Sequence, residues 1–234
     1  MKTKAILFSL FFIVILSSCS KNIDYSAEYI EQTSGRYLYN HDEVIDVYYK
    51  DKTLFLKWKG AEKIKPVIID NSIFFVPDMY TKLHFVQHPK TKKRYLSKIS
   101  KEDENLITYD YLKVSDSFKT PRMHLNNKEY KKALEGYLEI KKQDSTSVLI
   151  EERFVNSMGY DLLRDNKAER AIEVFKINVA LYPESSNVYD SLAEAYLKNG
   201  DSLQAYINYT KSYQMNNDNM RAKKYVDTYS KKHS

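Results

Sequence analysis

The spacing of apolar residues changes twice along the chain. Residues 5–16 form an apolar run broken only by Ser9, shorter than the roughly 20 residues a membrane-spanning helix needs. Residues 20–33 are polar with weak periodicity, and a helical turn over 27–31 is compatible with them. From residue 34 to 118 the period is two. Ile45, Val47 and Tyr49 alternate with more polar neighbours, residues 50–52 offer a polar turn, and Leu54, Leu56 and Trp58 resume the alternation. That is the signature of a β-hairpin. Residues 35–39, 65–69, 73–76, 83–86, 94–99 and 106–112 are further β-prone runs at similar spacing. About seven or eight short strands joined by polar turns predict an antiparallel meander, either a curved sheet or a small barrel. From residue 119 to 232 the period becomes 3.6, beginning with Tyr130, Ala133, Leu134 and Tyr137 on one helical face. The fold class expected is α+β in two domains: an antiparallel β meander or barrel-like domain over 34–118, then a helical domain over 119–234.

The helical half repeats. Windows 152–185 and 186–219 align at a 34-residue offset. The first reads Val155-x2-Met158-Gly159-x2-Leu162, then Ala171-x3-Phe175 and Pro183. The second reads Tyr189-x2-Leu192-Ala193-x2-Tyr196, then Ala205-x3-Tyr209. These windows resemble the tetratricopeptide repeat. In that reading Gly159 and Ala193 let the second helix of each pair approach the first, and Ala171 and Ala205 are the matching small residues. Asn178 departs from the pattern where a small residue is usual, and Asn217 replaces the usual terminal Pro. Ser185 or Ser186 is placed to cap the helix beginning near residue 187, and Asn199-Gly200-Asp201 to turn between helices. Residues 127–142 supply a degenerate second helix, and 220–229 a polar-faced cap. That makes about two and a half repeats, near the minimum for a stable stack.

The resemblance implies a groove lined by the first helix of each pair, holding a protein or peptide partner. Its register puts Arg153, Asn156, Tyr160, Leu163 and Arg164 there from the first repeat. Asn187, Asp190, Glu194, Leu197 and Lys198 come from the second. Some members of that family hold a C-terminal carboxylate with Lys and Asn in the groove. Asn156 fits that mode, and Tyr160 and Glu194 do not.

The N-terminus has the three parts of a secretory signal: Lys2 and Lys4, the apolar run, then Leu16-Ser17-Ser18-Cys19. The last four resemble the lipobox of bacterial lipoproteins. That resemblance implies cleavage after Ser18, a signal peptide over 1–18, acylation of Cys19 and attachment to a membrane through it. Residues 19–33 then read as a lipid-anchored tether. Cys19 is the single cysteine, so no intrachain disulfide is available. Two or more acyl chains on one residue suffice for stable attachment. Ser20 is not the Asp that marks inner-membrane retention in some bacteria, so the localisation expected is the cell envelope, at the outer membrane.

The β region is similar to the small β domain appended to beta-lactamase-type serine hydrolases. The likeness is carried by Gly35-x-Tyr37, Val47-x6-Leu54-x-Leu56, Phe74-Phe75 and Leu83-x-Phe85. It implies an accessory role beside a separately encoded hydrolase. No catalytic constellation accompanies it. The spacing Ser-x-x-Lys that such hydrolases use occurs at Ser18–Lys21, astride the expected cleavage site. Five glycines leave no room for a phosphate-binding loop.

His84 and His88 lie on a β-prone run without a carboxylate beside them in sequence, and Glu151-Glu152 and Asp103-Glu104 sit in polar stretches. No metal, no cofactor and no enzymatic activity are expected. Trp58 with Tyr48 and Tyr49 is a candidate stacking platform for a cell-envelope carbohydrate. The net charge of +6 is scattered among 31 acidic residues, unlike the concentrated basic face that nucleic acid requires.

Overall fold

The computed structural model describes residues 23–233. Ser18, Cys19 and the apolar run at 5–16 lie outside the described residues. Among the described residues nine strands form one antiparallel sheet: β1 Gly35–Asn40, β2 Glu43–Lys50, β3 Thr53–Trp58, β4 Ala61–Ile64, β5 Val67–Ile68, β6 Ile73–Val76, β7 Thr81–Gln87, β8 Arg94–Lys98 and β9 Tyr111–Val114. Their order is β4-β3-β2-β1-β9-β8-β7-β6-β5. The two edge strands, β4 and β5, are separated in the chain only by Lys65 and Pro66. Three Cα–Cα steps reach at most about 11 Å, so the sheet must curl until its edges approach. The result is an open barrel.

Turn chemistry sets the hairpins. Asp51 and Lys52 both take positive φ (49° and 59°) between β2 and β3, the two-residue geometry that matches strand twist. Lys59 and Gly60 (48° and 84°) do the same between β3 and β4. Apolar spacing does not predict β4, because Ile64 alone of its four residues is buried. The strand expected over 106–112 forms instead at β9. Upstream of β9, the Thr108 N–H donates to Ser97 Oγ (2.9 Å) and the Lys98 N–H to Asp110 Oδ2 (2.7 Å). Side-chain oxygens there replace the strand ladder, and Leu106 and Ile107 stay exposed.

Tyr37, Ile45, Leu54, Leu56, Phe74, Leu83 and Leu96 fill the barrel. Helix α1 (Ala27–Thr33) packs against this core, started by Ser26 Oγ accepting from the Tyr29 N–H at 3.1 Å. Tyr25 and Tyr29 stack with ring centroids 5.2 Å apart, and Tyr25 meets Tyr49 edge-on. Thr33 and Tyr49 share a hydroxyl–hydroxyl bond, and Tyr37 donates to the Thr33 carbonyl. Within the segment read as a tether over 19–33, Ile23, Tyr25, Tyr29 and Ile30 pack on the barrel core, while Asp24, Ser26, Ala27, Glu28 and Glu31 stay exposed. Tyrosines carry much of that apolar side, beside Ile23 and Ile30, and a polar reading hides them.

The helical half comprises α2 Pro121–Asn126, α3 Tyr130–Gln143, α4 Glu152–Arg164, α5 Ala168–Leu181, α6 Ser186–Lys198, α7 Ser202–Met215 and α8 Met220–His233. Helices α4, α6 and α8 begin at residues 152, 186 and 220, so the 34-residue offset extends once more than the two windows. The close approach of α4 and α5 is made at Gly159. A Cβ placed there would stand 2.4 Å from the Phe175 ring. The chain is thus α+β, an antiparallel open barrel followed by a tetratricopeptide-like helical stack. Ser185 occupies the N-cap position of α6 without a side-chain capping bond, while Asp201 caps α7 by accepting from the Gln204 N–H.

The halves meet at Asp42, in the turn between β1 and β2 and only 1% exposed. Its Oδ1 accepts from the Arg122 N–H (2.6 Å). Its Oδ2 accepts from Arg122 Nε (3.1 Å) and from the Tyr137 hydroxyl (2.9 Å). Burial pushes the Asp42 carboxyl up and Arg122 pulls it back. Arg36 reinforces the junction, pairing with Asp46 (2.7 Å) and donating to the Phe118 carbonyl (2.7 Å).

Candidate functional site

Side chains bridge α4, α6 and α8 directly. The Tyr160 hydroxyl from α4 lies 3.1 Å from Glu194 Oε2 and 3.3 Å from Ser191 Oγ on α6. Arg221 from α8 donates to the same Glu194 oxygen at 2.8 Å and also pairs with Asp190. Asn219 Nδ2 donates to Asp190 Oδ1 (2.8 Å) and to Ser212 Oγ (3.0 Å). A continuous polar network therefore crosses three successive first helices. Asp190 is buried, and a buried carboxylate persists only when paired and hydrogen-bonded. Arg221 and Asn219 meet that requirement.

The ten residues expected in the groove divide by what they touch. Tyr160, Asp190 and Glu194 belong to the network, and Tyr160 also packs edge-on against Phe175 at 5.3 Å. Asn187 donates to Glu152 Oε1 (2.8 Å), a second link between α6 and α4. Leu163 joins the apolar cluster around Phe175. Asn156 is half-buried, with an Oδ1 that finds no hydrogen-bond partner. Arg164 pairs with Asp161 beside it. Arg153, Leu197 and Lys198 remain open to solvent.

Leu197 and Lys198 line a pocket of about 390 Å³ between α6, α7 and α8. Tyr209 and Tyr225 form its aromatic wall, their ring centroids 4.9 Å apart. Burial foremost, then the negative Glu194, pushes the Tyr209 phenol up to about 12, so it stays neutral at physiological pH. Arg221, Lys224 and Thr228 complete the rim. The sequence reading missed this α8 contribution. A third step of the repeat would have found it, since 187, 190 and 194 map onto 221, 224 and 228. The signal was masked because Asp227 stands where Gly159 and Ala193 stand. Those small residues serve contact with a following helix, and among the described residues no helix follows α8.

The other candidates disperse. Tyr48 stacks on Phe55 and donates to the Glu62 carbonyl, whereas Tyr49 meets Thr33 and Trp58 meets Tyr39. Consecutive strand residues point to opposite faces, so Tyr48 and Tyr49 cannot share a platform with Trp58. His84 sits within β7, while His88 lies beyond it and accepts the Lys90 and Thr91 N–H groups in a turn. Glu104 pairs with Lys82. Among the described residues no group of three or more His, Cys, Asp or Glu gathers as a metal site. No described helix is long and apolar enough to cross a membrane.

No protein family matches the chain, and no curated protein does. Solved structures similar to it include the first TPR domain of Spaghetti (RPAP3) bound to an HSP90 peptide. It is 15% identical, with 47% of this chain and 85% of that one covered, at a TM-score of 0.34. The Sgt2 TPR domain from Aspergillus fumigatus is 18% identical over 48% and 73% of the two chains, at 0.34. The Yersinia enterocolitica type III secretion chaperone SycD, in complex with a peptide of the translocator YopD, is 12% identical over 49% and 89%, at 0.35.

Proposed function

We propose that this chain is a non-enzymatic protein-interaction module of the cell envelope. It would be tethered to the outer membrane through acylated Cys19 and would contact a partner protein through the face formed by α4, α6 and α8. The observation that carries this reading is the network from Tyr160 through Glu194 to Arg221. It braces three helices into a fixed face while leaving Arg153, Leu197 and Lys198 unengaged at its surface. A preorganised surface binds without a large ordering cost. The tether reading rests on the lipobox-like Leu16-Ser17-Ser18-Cys19.

Affinity capture from detergent-solubilised membranes tests both parts. The intact chain is expected to fractionate with membranes and recover a defined partner. Cys19→Ser should release the chain from the membrane, and Leu197→Asp should lose the partner while keeping the fold, since Leu197 is 40% exposed. Equal recovery by Leu197→Asp would contradict the groove reading. Tyr160→Ala is the poorer probe, because Tyr160 also holds Glu194 and Phe175 in place.

A further inference from the structure

The pocket between α6, α7 and α8 specifies more than a place of contact. Leu197, Tyr209 and Tyr225 give it an apolar interior, and its volume of about 390 Å³ lies at the small end of ligand-sized cavities. Such a space takes one bulky side chain, and a single buried anchor commonly dominates an interface. Charge around the pocket is one-sided. Its carboxylate, Glu194, is already held by Arg221 and Tyr160. Lys198 and Lys224 stand at the rim with their ammonium groups unpaired among the described residues, and both are exposed. Further along α8, Lys231 and Lys232 add to the same sign in its last turn.

We propose that this pocket takes an aromatic or branched apolar side chain from an extended internal segment of the partner protein. Asp or Glu residues close to that anchor in sequence pair with Lys198 and Lys224. This rests on the reading that the repeats bind a partner, and it adds the chemistry of what they bind. Free carboxylates beside the anchor answer the unpaired cations, while a basic segment would place like charges together, which disfavours the complex.

Selection of a random peptide library against the full chain tests the proposal. The library is displayed with its C-terminus fused to the coat protein, so no terminal carboxylate is offered. Enriched peptides are expected to share a bulky apolar residue with neighbouring Asp or Glu. Their affinity should fall about tenfold on Lys198→Glu with Lys224→Glu, from the loss of two rim attractions and their reversal, and should fall with added salt. Leu197→Asp should weaken them through the pocket itself, with thermal melting confirming that each variant is folded. Enriched peptides that lack acids, or that ignore all three substitutions, would overturn the pocket proposal and leave the wider groove reading standing. Failure to enrich any peptide would overturn both.

Discussion

At the scale of single residues, Asp42 carries the most. It is buried in a turn, yet it satisfies three donors from the helical half. Asp42→Ala removes both acceptor oxygens, and with them all three hydrogen bonds, at once. Tyr137, which is fully buried, then keeps a hydroxyl without a partner, costing about 1–3 kcal/mol. Arg122 is one-third exposed and can turn towards water, so its share is smaller than for a fully buried ion pair. The expected loss is about 2–4 kcal/mol in denaturant unfolding. Two probes sharpen the measurement. Trp58, the single tryptophan, reports the barrel by fluorescence, and far-ultraviolet dichroism is dominated by the helices. The two transitions should coincide in the native chain and separate in Asp42→Ala. A variant within about 0.5 kcal/mol of the native chain would show that the junction is held elsewhere. Arg122 lies 80 positions from Asp42 and Tyr137 lies 95. No local pattern in the sequence links residues that far apart, so this contact was not legible there.

At the scale of elements, the helix pairs were legible and their reason was correct. Small residues at 159 and 171 announced a close crossing, and the Phe175 ring lies against Gly159. Gly159→Ala should therefore destabilise the stack. Ala is the better helix former by about 1 kcal/mol, but overpacking a filled core costs typically 1–3 kcal/mol. A net loss of up to about 2 kcal/mol in urea unfolding is expected. A gain of about 1 kcal/mol, the propensity effect alone, would mean that Phe175 moves aside freely. The strands were less evenly legible. The hairpin through residues 50–52 carried both alternation and a turn. Strand β4 carried only the Lys59-Gly60 turn, because an edge strand with one buried residue shows no apolar alternation. The helical turn at α1 was compatible with the sequence, but its packing on the barrel was hidden, since Tyr25 and Tyr29 read as polar while packing their rings into the core.

At the scale of the whole molecule, a barrel and a helical stack are joined through one buried carboxylate, and the stack presents a braced face. The register of the repeat pointed to residues of α4 and α6, and the structure puts Tyr160, Asp190 and Glu194 among them in one network with α8. The register did not reveal that Tyr160 bonds to Glu194, or that Glu194 and Asp190 are both held by Arg221, because that network needs Asn219 from the last position of the second window and Arg221 from beyond it. On the proposed function, a partner meets the part the network leaves open, centred on Leu197 and its pocket. The most direct measurement is site-specific photo-crosslinking in the native cell, with the reactive residue placed at Leu197 or at Ile207. The two are similarly exposed, at 40% and 48%, but Ile207 lies on α7, away from the pocket lining. A discrete adduct with one partner protein from Leu197, and none from Ile207, is the predicted result. Equal adducts from both positions, or an adduct from Ile207 alone, would contradict the claim that the face of α4, α6 and α8 is the working surface.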